Sequence, residues 1–281
     1  MKAAIIKLTS AFFAAALLTG CSKELIVKVE NDQYRNYHSD NRTVSIDLSG
    51  DISEADISLG TGGITVVTTD ESNPSVYLDY TVRSNDEELC KKVADHIDAL
   101  SEEKDGRLII NIAEKDTGDD IQKWVHDKGY KCQVDLSAEV RLPKSIDTVS
   151  AESDTGSVNF RDMKGCFIGE VDTGSITCIN TEFTDSSSMN CDTGNITMRN
   201  CTYSEDMTIS VDTGQLLFGL PTNGSAADID LSVDTGSMEL WDAQSYEITD
   251  GSAKDGEVTL EYKDTKVSAS VKTGNISIDK E

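Results

Sequence analysis

The sequence predicts an all-β protein whose C-terminal half is a single-stranded parallel β-solenoid of about seven coils. The first observation is an Asp-Thr-Gly motif that recurs through residues 149–281, with alternating apolar and polar residues on both sides. The second is the spacing of its glycines, which step along the chain by 18, 20, 20, 22, 20 and 18 residues. Such a period is typical of stacked repeats, because one unit of about 20 residues cannot bury its apolar side alone.

The repeated motif is the predicted site, a column of turn residues. Alternation predicts two short strands per repeat, and glycine permits the positive φ that a tight corner between them needs. Stacking would place equivalent residues about 4.8 Å apart, and each aspartate is expected to accept a hydrogen bond from its own turn. The predicted column, named here the Asp-Thr-Gly ladder, consists of Asp154, Thr155, Gly156, Asp172, Thr173, Gly174, Asp192, Thr193, Gly194, Asp212, Thr213, Gly214, Asp234, Thr235 and Gly236. Two further copies, at residues 253–260 and 271–278, have Lys254 and Lys272 in place of the aspartate.

An N-terminal β region is predicted over residues 44–148, before the repeats. Residues 59–66 form a related unit, and residues 76–82, 108–112 and 134–142 alternate as strands do. One inserted helix is predicted over residues 85–104. Ser84 and Glu87 have the spacing of a capping box, and apolar residues follow at helical spacing. The helix is expected to cover one end of the solenoid or to insert beside it.

The first residues predict export. Lys2 and Lys7 precede an apolar stretch at residues 11–18, which is too short to span a bilayer. Residues 1–20 are therefore predicted to be a signal peptide. Residues 18–21, Leu-Thr-Gly-Cys, resemble the lipobox of bacterial lipoproteins, and this resemblance implies acylation of Cys21, which would anchor the chain to a membrane. Residues 21–43 are then the lipidated cysteine and a tether; an ordinary cleaved signal is the alternative.

The strongly negative net charge argues against a nucleic-acid partner. The chain has 25 basic and 51 acidic residues, and loss of the two lysines in the predicted signal leaves a net charge of −28 (23 − 51). Such a charge repels nucleic acid and anionic lipid head groups, so no nucleic-acid partner is predicted.

The cysteines and histidines predict no metal or cofactor site. Cys178 and Cys191 occupy positions where neighbouring repeats carry apolar residues, so they are predicted to be buried fillers. A disulfide between Cys90 and Cys132 is left open, because an exported protein permits it. No CxxC pair suggests zinc, and the three histidines are expected at the surface.

Asp-Thr-Gly also marks the catalytic turns of aspartic proteases, where two carboxylates share a proton. Here the motif recurs in phase with the repeat, which favours a structural role, and an out-of-phase copy at residues 116–118 shows that the tripeptide is common. The chain is therefore predicted not to be an enzyme. Calcium between the aspartates, or a recognition patch of Trp124, Trp241 and Tyr246, are weaker alternatives.

Together these features resemble a family of bacterial envelope proteins with β-strand repeats, provisionally labelled adhesins and of unknown function. The resemblance covers about residues 44–281 and lies in the Leu-Pro-Lys-Ser-Ile-Asp lead-in at residues 142–147 and the T-G-x-[IV]-x-[VIL] repeats after it. It implies a surface-displayed binding or scaffold protein of the cell envelope, anchored by lipid to the cell membrane or outer membrane, exposed outside the cytoplasm, with a protein or glycan ligand. The alternative is a sensory or accessory lipoprotein that serves a membrane signalling or transport protein.

Overall fold

The computed structural model describes residues 34–223 and 226–279, which form 16 strands, two α-helices and one short 3-10 helix. The predicted signal peptide and Cys21 lie outside the described residues. Within the described ranges, no helix has the length and apolar character needed to cross a membrane. The helices are α1 Glu87–Ala94 and α2 Ile121–Asp127, and the 3-10 helix is Ala243–Ser245. The strands are β1 Asn36–Ser45, β2 Glu54–Thr69, β3 Ser75–Ser84, β4 Ile97–Lys104, β5 Arg107–Glu114, β6 Cys132–Pro143, β7 Thr148–Arg161, β8 Lys164–Ile179, β9 Glu182–Phe183, β10 Ser187–Arg199, β11 Thr202–Tyr203, β12 Met207–Gly219, β13 Asp228–Trp241, β14 Glu247–Ser252, β15 Glu257–Tyr262 and β16 Thr265–Ile278.

The strands join in one mixed sheet, so the predicted single-stranded parallel β-solenoid is wrong. The order along the sheet is β1-β3-β6-β2-β7-β8-β10-β12-β13-β16-β15-β14. Seven of these strands, β2, β7, β8, β10, β12, β13 and β16, run parallel to one another. Antiparallel strands flank them at both ends, β3 with β1 and β6 on one side and β15 with β14 and β16 on the other. Short turns join the consecutive antiparallel strands β14, β15 and β16, whereas β1, β3 and β6 are separated in sequence by other elements.

Each Asp-Thr-Gly motif lies inside one continuous strand, so the predicted corner between two short strands is also wrong. In β12, Ile209 and Val211 are buried before the motif, and Leu216 and Phe218 are buried after it. In a regular strand, residues five apart lie on opposite faces, so the strand must bend to keep both pairs in one core. Gly214 at the bend has a φ of 149°.

The copy at residues 253–260 does not join the parallel strands. It forms the turn and second strand of an antiparallel hairpin, in which the Asp255 amide donates to the Ser252 carbonyl over 2.9 Å. The next copy follows it in β16, where Thr273 and Gly274 pair directly with Thr235 and Gly236 of β13. The related unit at residues 59–66 lies in β2 and pairs with β7, so it becomes the first strand of the parallel run.

The N-terminal region corrects the helix prediction. Helix α1 is shorter than predicted, and residues 97–104 form β4, which pairs with β5. The N-cap is Asp86, whose Oδ1 accepts from the amides of Glu88 and Leu89, and Ser84 does not cap the helix. Helix α2, which sequence analysis did not predict, buries Ile121, Trp124 and Val125. The strands predicted at residues 76–82, 108–112 and 134–142 are confirmed, and residues 36–43 of the predicted tether belong to β1.

One continuous apolar core runs through the described residues. Its centre is a column of five aromatic rings with centroids 5.3–5.7 Å apart, made of Phe160, Phe167, Phe183, Tyr203 and Phe218. The predicted fillers Cys178 and Cys191 are confirmed, since their exposed fractions are 0% and 2%. All six described cysteines are free thiols, including Cys90 and Cys132.

Candidate functional site

The structure places the Asp-Thr-Gly ladder on the outside of the sheet. Threonine pairs with threonine and glycine with glycine from one strand to the next. The aspartates and threonines are exposed, and the glycines are half-buried beneath them. In β16, Lys272 occupies the aspartate position, and its Nζ lies 3.2 Å from Asp234 Oδ2. The ladder therefore ends in an ion pair.

The first four aspartates of the ladder form an acidic row: Asp154, Asp172, Asp192 and Asp212. Within the described residues none of them accepts a hydrogen bond, so the predicted bond from each aspartate's own turn is absent. In the described residues, the one group of three side chains placed to share a metal ion lies outside this row, at the end of β5. Asp172, Asp192 and Asp212 line one open space of about 290 Å³ together with Glu170 and Asn190, and all four aspartates of the acidic row are exposed.

Two carboxyl groups at the start of the row have raised pKa values. Burial raises the pKa of Glu152, and the charges of Glu170 and Asp154 raise it further. Burial also raises the pKa of Asp154, with Asp172 and then Asp120 adding to the effect. Ionisation of either carboxyl group therefore costs the folded state some free energy.

Glu152→Gln is expected to stabilise the protein by about 0.5 kcal/mol at pH 7, because the exposed carboxylate repels its neighbours. A carboxyl group with a raised pKa destabilises the folded state above that pKa, and the effect fades as pH falls through it toward the ordinary value of 4.5. Urea unfolding at pH 7 and at about pH 4 should show the gain shrinking with acid. Glu205→Gln, exposed in the loop before β12, is the charge-matched control. A gain that persists undiminished at the lower pH would contradict this explanation.

Sharp corners lie six residues after four of the five ladder glycines, the exception being Gly214. Asp162, Asn180 and Asn200 have φ values of 53–54°, and Asp242 has a φ of 65°. The side-chain amide of Asn180 donates to Asp162 Oδ1 over 2.9 Å, and that of Asn200 donates to Asn180 Oδ1 over 3.2 Å. Sequence analysis missed these corners, although asparagine and aspartate tolerate the left-handed region better than other non-glycine residues.

An aromatic cleft opens beside the last of these corners. Gly219 pairs with Trp241 on the next strand, and Arg199 ends the strand on the other side. Beside Gly219, which has no side chain, lies an open space of about 330 Å³ that Arg199 and Trp241 border. We name it the Trp241 cleft; it is lined by Arg199, Asn200, Gly219, Trp241, Asp242 and Asp279.

The Trp241 ring is held in place and half-buried. The guanidinium carbon of Arg199 lies 5.2 Å from its ring centroid, and its indole N–H donates to Glu239 Oε1 over 2.5 Å. Trp124 and Tyr246, in contrast, have exposed fractions of only 6% and 7%. The three aromatic residues therefore do not form one exposed patch, and Trp241 is the most exposed of them.

Comparisons with known proteins give structural similarity without a family. No known family model matches the chain, and a search of curated proteins found no match. A provisionally named cell adhesion protein from Clostridium sporogenes aligns over 87% of this chain and 100% of its own, at 10% identity and a TM-score of 0.36. A provisionally named adhesin from Parabacteroides merdae covers 86% and 96%, at 11% identity and a TM-score of 0.33. A lipid-binding protein from Parabacteroides distasonis, also named provisionally, covers 89% and 98%, at 13% identity and a TM-score of 0.28.

Proposed function

We propose that this chain is an adhesin-like binding protein displayed on the bacterial cell envelope, and that it binds a neutral glycan in the Trp241 cleft. The chain would be held at the membrane by a lipid on Cys21 and would perform no catalysis. The observation that carries the proposal is the cleft itself, where an aromatic ring, a side-chain amide, a guanidinium group and two carboxylates converge.

The lining chemistry suits a sugar. The part of the Trp241 ring that Arg199 leaves exposed can pack against the apolar face of a sugar ring, while amide, guanidinium and carboxylate groups exchange hydrogen bonds with its hydroxyls. The cleft volume lies at the lower end of the range of about 300–1,000 Å³ that small-molecule sites occupy. One cation and two carboxylates line it, so an anionic ligand is disfavoured.

The cleft is fixed before any ligand arrives. Asn200 is tied to Asn180 at the corner, and Arg199 packs on the Trp241 ring. The backbone of Asp279 donates to Leu240 and accepts from Ala243, which holds the C-terminal end beside the cleft. Binding would therefore order few side chains, so more of the contact energy would appear as affinity.

Trp241→Ala is expected to weaken glycan binding at least tenfold, because the stacking face is lost. Glycan-array screening of the purified protein would identify a ligand, and titration calorimetry would compare variants. Tyr37→Ala is the matched control, since Tyr37 is an aromatic residue with an exposed fraction of 71% on the distant strand β1. Equal losses in both variants, or binding that survives Trp241→Ala, would contradict a site in this cleft.

The lipid anchor has a separate test. The native chain is expected to enter the detergent phase on Triton X-114 partitioning, whereas Cys21→Ser should stay in the aqueous phase, because acyl chains supply the membrane affinity. Cys166→Ser, at a half-buried thiol in β8, is the control for cysteine replacement itself. Aqueous partitioning of the native chain would remove the anchor from the proposal and leave the cleft untouched.

A further inference from the structure

Three metal-ligating side chains meet at the end of β5, far along the chain from the Trp241 cleft. His96 precedes β4, Glu114 ends β5, and Asp116 lies in the turn that follows. His96 Nδ1 lies 2.5 Å from Glu114 Oε1 and 3.4 Å from Asp116 Oδ2. The three ligand atoms all lie within 4.8 Å of one another, the single such group of three in the described residues.

Glu114 is a fixed and ionised ligand. Its side chain has an exposed fraction of 1%, and its Oε2 accepts from the amides of Asp116 and Thr117 and from the Thr117 hydroxyl. Burial acts to raise the pKa of Glu114, but the hydrogen bonds from His96 and Thr117 outweigh it and lower the pKa to about 2. The other oxygen, Oε1, is left facing His96.

His96 is held from two sides. Its ring stacks on Trp124 with the centroids 4.9 Å apart, and its carbonyl accepts from the Lys115 amide over 2.9 Å. Asp116 has a side-chain exposed fraction of 66%, so the group is open to solvent on its side. This aspartate belongs to the out-of-phase Asp-Thr-Gly copy, whose turn also supplies the bonds to Glu114.

We propose that His96, Glu114 and Asp116 form a binding site for a divalent first-row transition metal such as Zn²⁺. Ligand atoms about 2.0–2.2 Å from a tetrahedral metal lie about 3.4 Å apart, which is the separation between His96 Nδ1 and Asp116 Oδ2. Glu114 Oε1 must move away from His96 Nδ1 by about 1 Å to make room for the ion. One imidazole nitrogen and two carboxylate oxygens suit such ions, and water would complete the coordination through the open side.

The charges of the three side chains suit a dication. Two carboxylates beside one imidazole supply two negative charges, which a divalent ion balances. The chain's formal net charge of −26 further raises the local concentration of cations. The second carboxylate, Asp116, is thus what distinguishes a metal site from a simple histidine–glutamate ion pair.

Trp124 provides the readout. In the purified, untagged protein carrying Trp241→Phe, Trp124 is the one tryptophan left, and Co²⁺ is expected to quench its fluorescence saturably with one ion per chain. Zn²⁺ should reverse the quenching by competition. His96→Gln and Asp116→Asn should each weaken Co²⁺ binding at least tenfold. His126→Gln, an exposed histidine on α2, and Glu102→Gln, an exposed carboxylate on β4, should leave it unchanged.

Two results would overturn the proposal. Saturable binding that is equally strong in Asp116→Asn and in the native protein would place the ion elsewhere on the acidic surface. An absence of saturable quenching and of any Zn²⁺-dependent rise in Tm would show that the three side chains form an ion pair and nothing more. Asp116 is exposed, so Asp116→Asn should fold even if His96→Gln does not.

Discussion

Gly194→Ala is expected to destabilise the protein by about 3–5 kcal/mol, because the added methyl group would overlap a neighbouring backbone and strain its own. A Cβ atom at Gly194 would overlap the carbonyl oxygen of Gly174 on the neighbouring strand. Gly194 also has a φ of 144°, which L residues rarely adopt. The same contact recurs along the whole ladder, since a Cβ at Gly214 would meet Gly194 in the same way. Glycine is therefore required at equivalent positions of successive ladder strands.

Gly129→Ala separates the cost of steric overlap from the cost of a positive φ. Gly129 follows α2 with a φ of 67°, and a Cβ there would meet no atom within 4 Å. Its replacement tests left-handed strain alone and should cost about 1 kcal/mol. Urea unfolding of both variants gives the comparison. Equal costs would mean that the ladder strands shift to admit a methyl group and that close backbone approach is not what requires glycine.

The Asp-Thr-Gly ladder shows which structural features local sequence can predict. Period-two alternation predicts strands because side chains on a strand point to opposite faces in turn, and this signal places most strands correctly. A glycine with positive φ predicts a departure from extended geometry, but it does not specify whether the chain bends or reverses. At Gly194 it bends, and the chain turns at Asn200, six residues later.

The helix predicted over residues 85–104 was wrong after residue 96, because the apolar residues there fit both helical and strand periodicity. Leu89, Val93, Ile97 and Leu100 have helical spacing, but Ile97 and Ala99 are both buried on one face of β4. Pairing with β5 makes residues 97–104 a strand and not a helix. Local sequence patterns do not reveal such a long-range contact.

Neither candidate site could have been found by local pattern. The Trp241 cleft exists because Gly219 lies beside Trp241 in the next strand, 22 residues away. His96 and Glu114 are 18 residues apart and meet only because β4 and β5 form a hairpin. Sequence analysis named Trp241 and His96 but could not predict which residues lie beside them in the fold.

Phe183→Ala is expected to destabilise the protein by about 3–5 kcal/mol, because it removes a fully buried ring and leaves a cavity. Phe183 stacks on Tyr203 with centroids 5.3 Å apart and meets the edge of Phe167 at 5.7 Å. Strand β9 has only two residues, so few backbone hydrogen bonds hold it: Glu182 donates to Met163, and Phe183 accepts from Ser204. Side-chain packing must therefore supply most of its attachment.

Phe183→Leu is the matched variant, since leucine keeps most of the apolar volume without the ring. It should cost about 1–2 kcal/mol, and the difference between the two variants measures the cavity. Urea unfolding followed by circular dichroism would give both free energies, with an unchanged m-value as the sign that the unfolded state is the same. A cost below about 1 kcal/mol for Phe183→Ala would show that Phe167 and Tyr203 close over the space. In that case the aromatic column would be adaptable, and the rigidity of the corners that frame the Trp241 cleft would have to come from the side-chain amides of Asn180 and Asn200 alone.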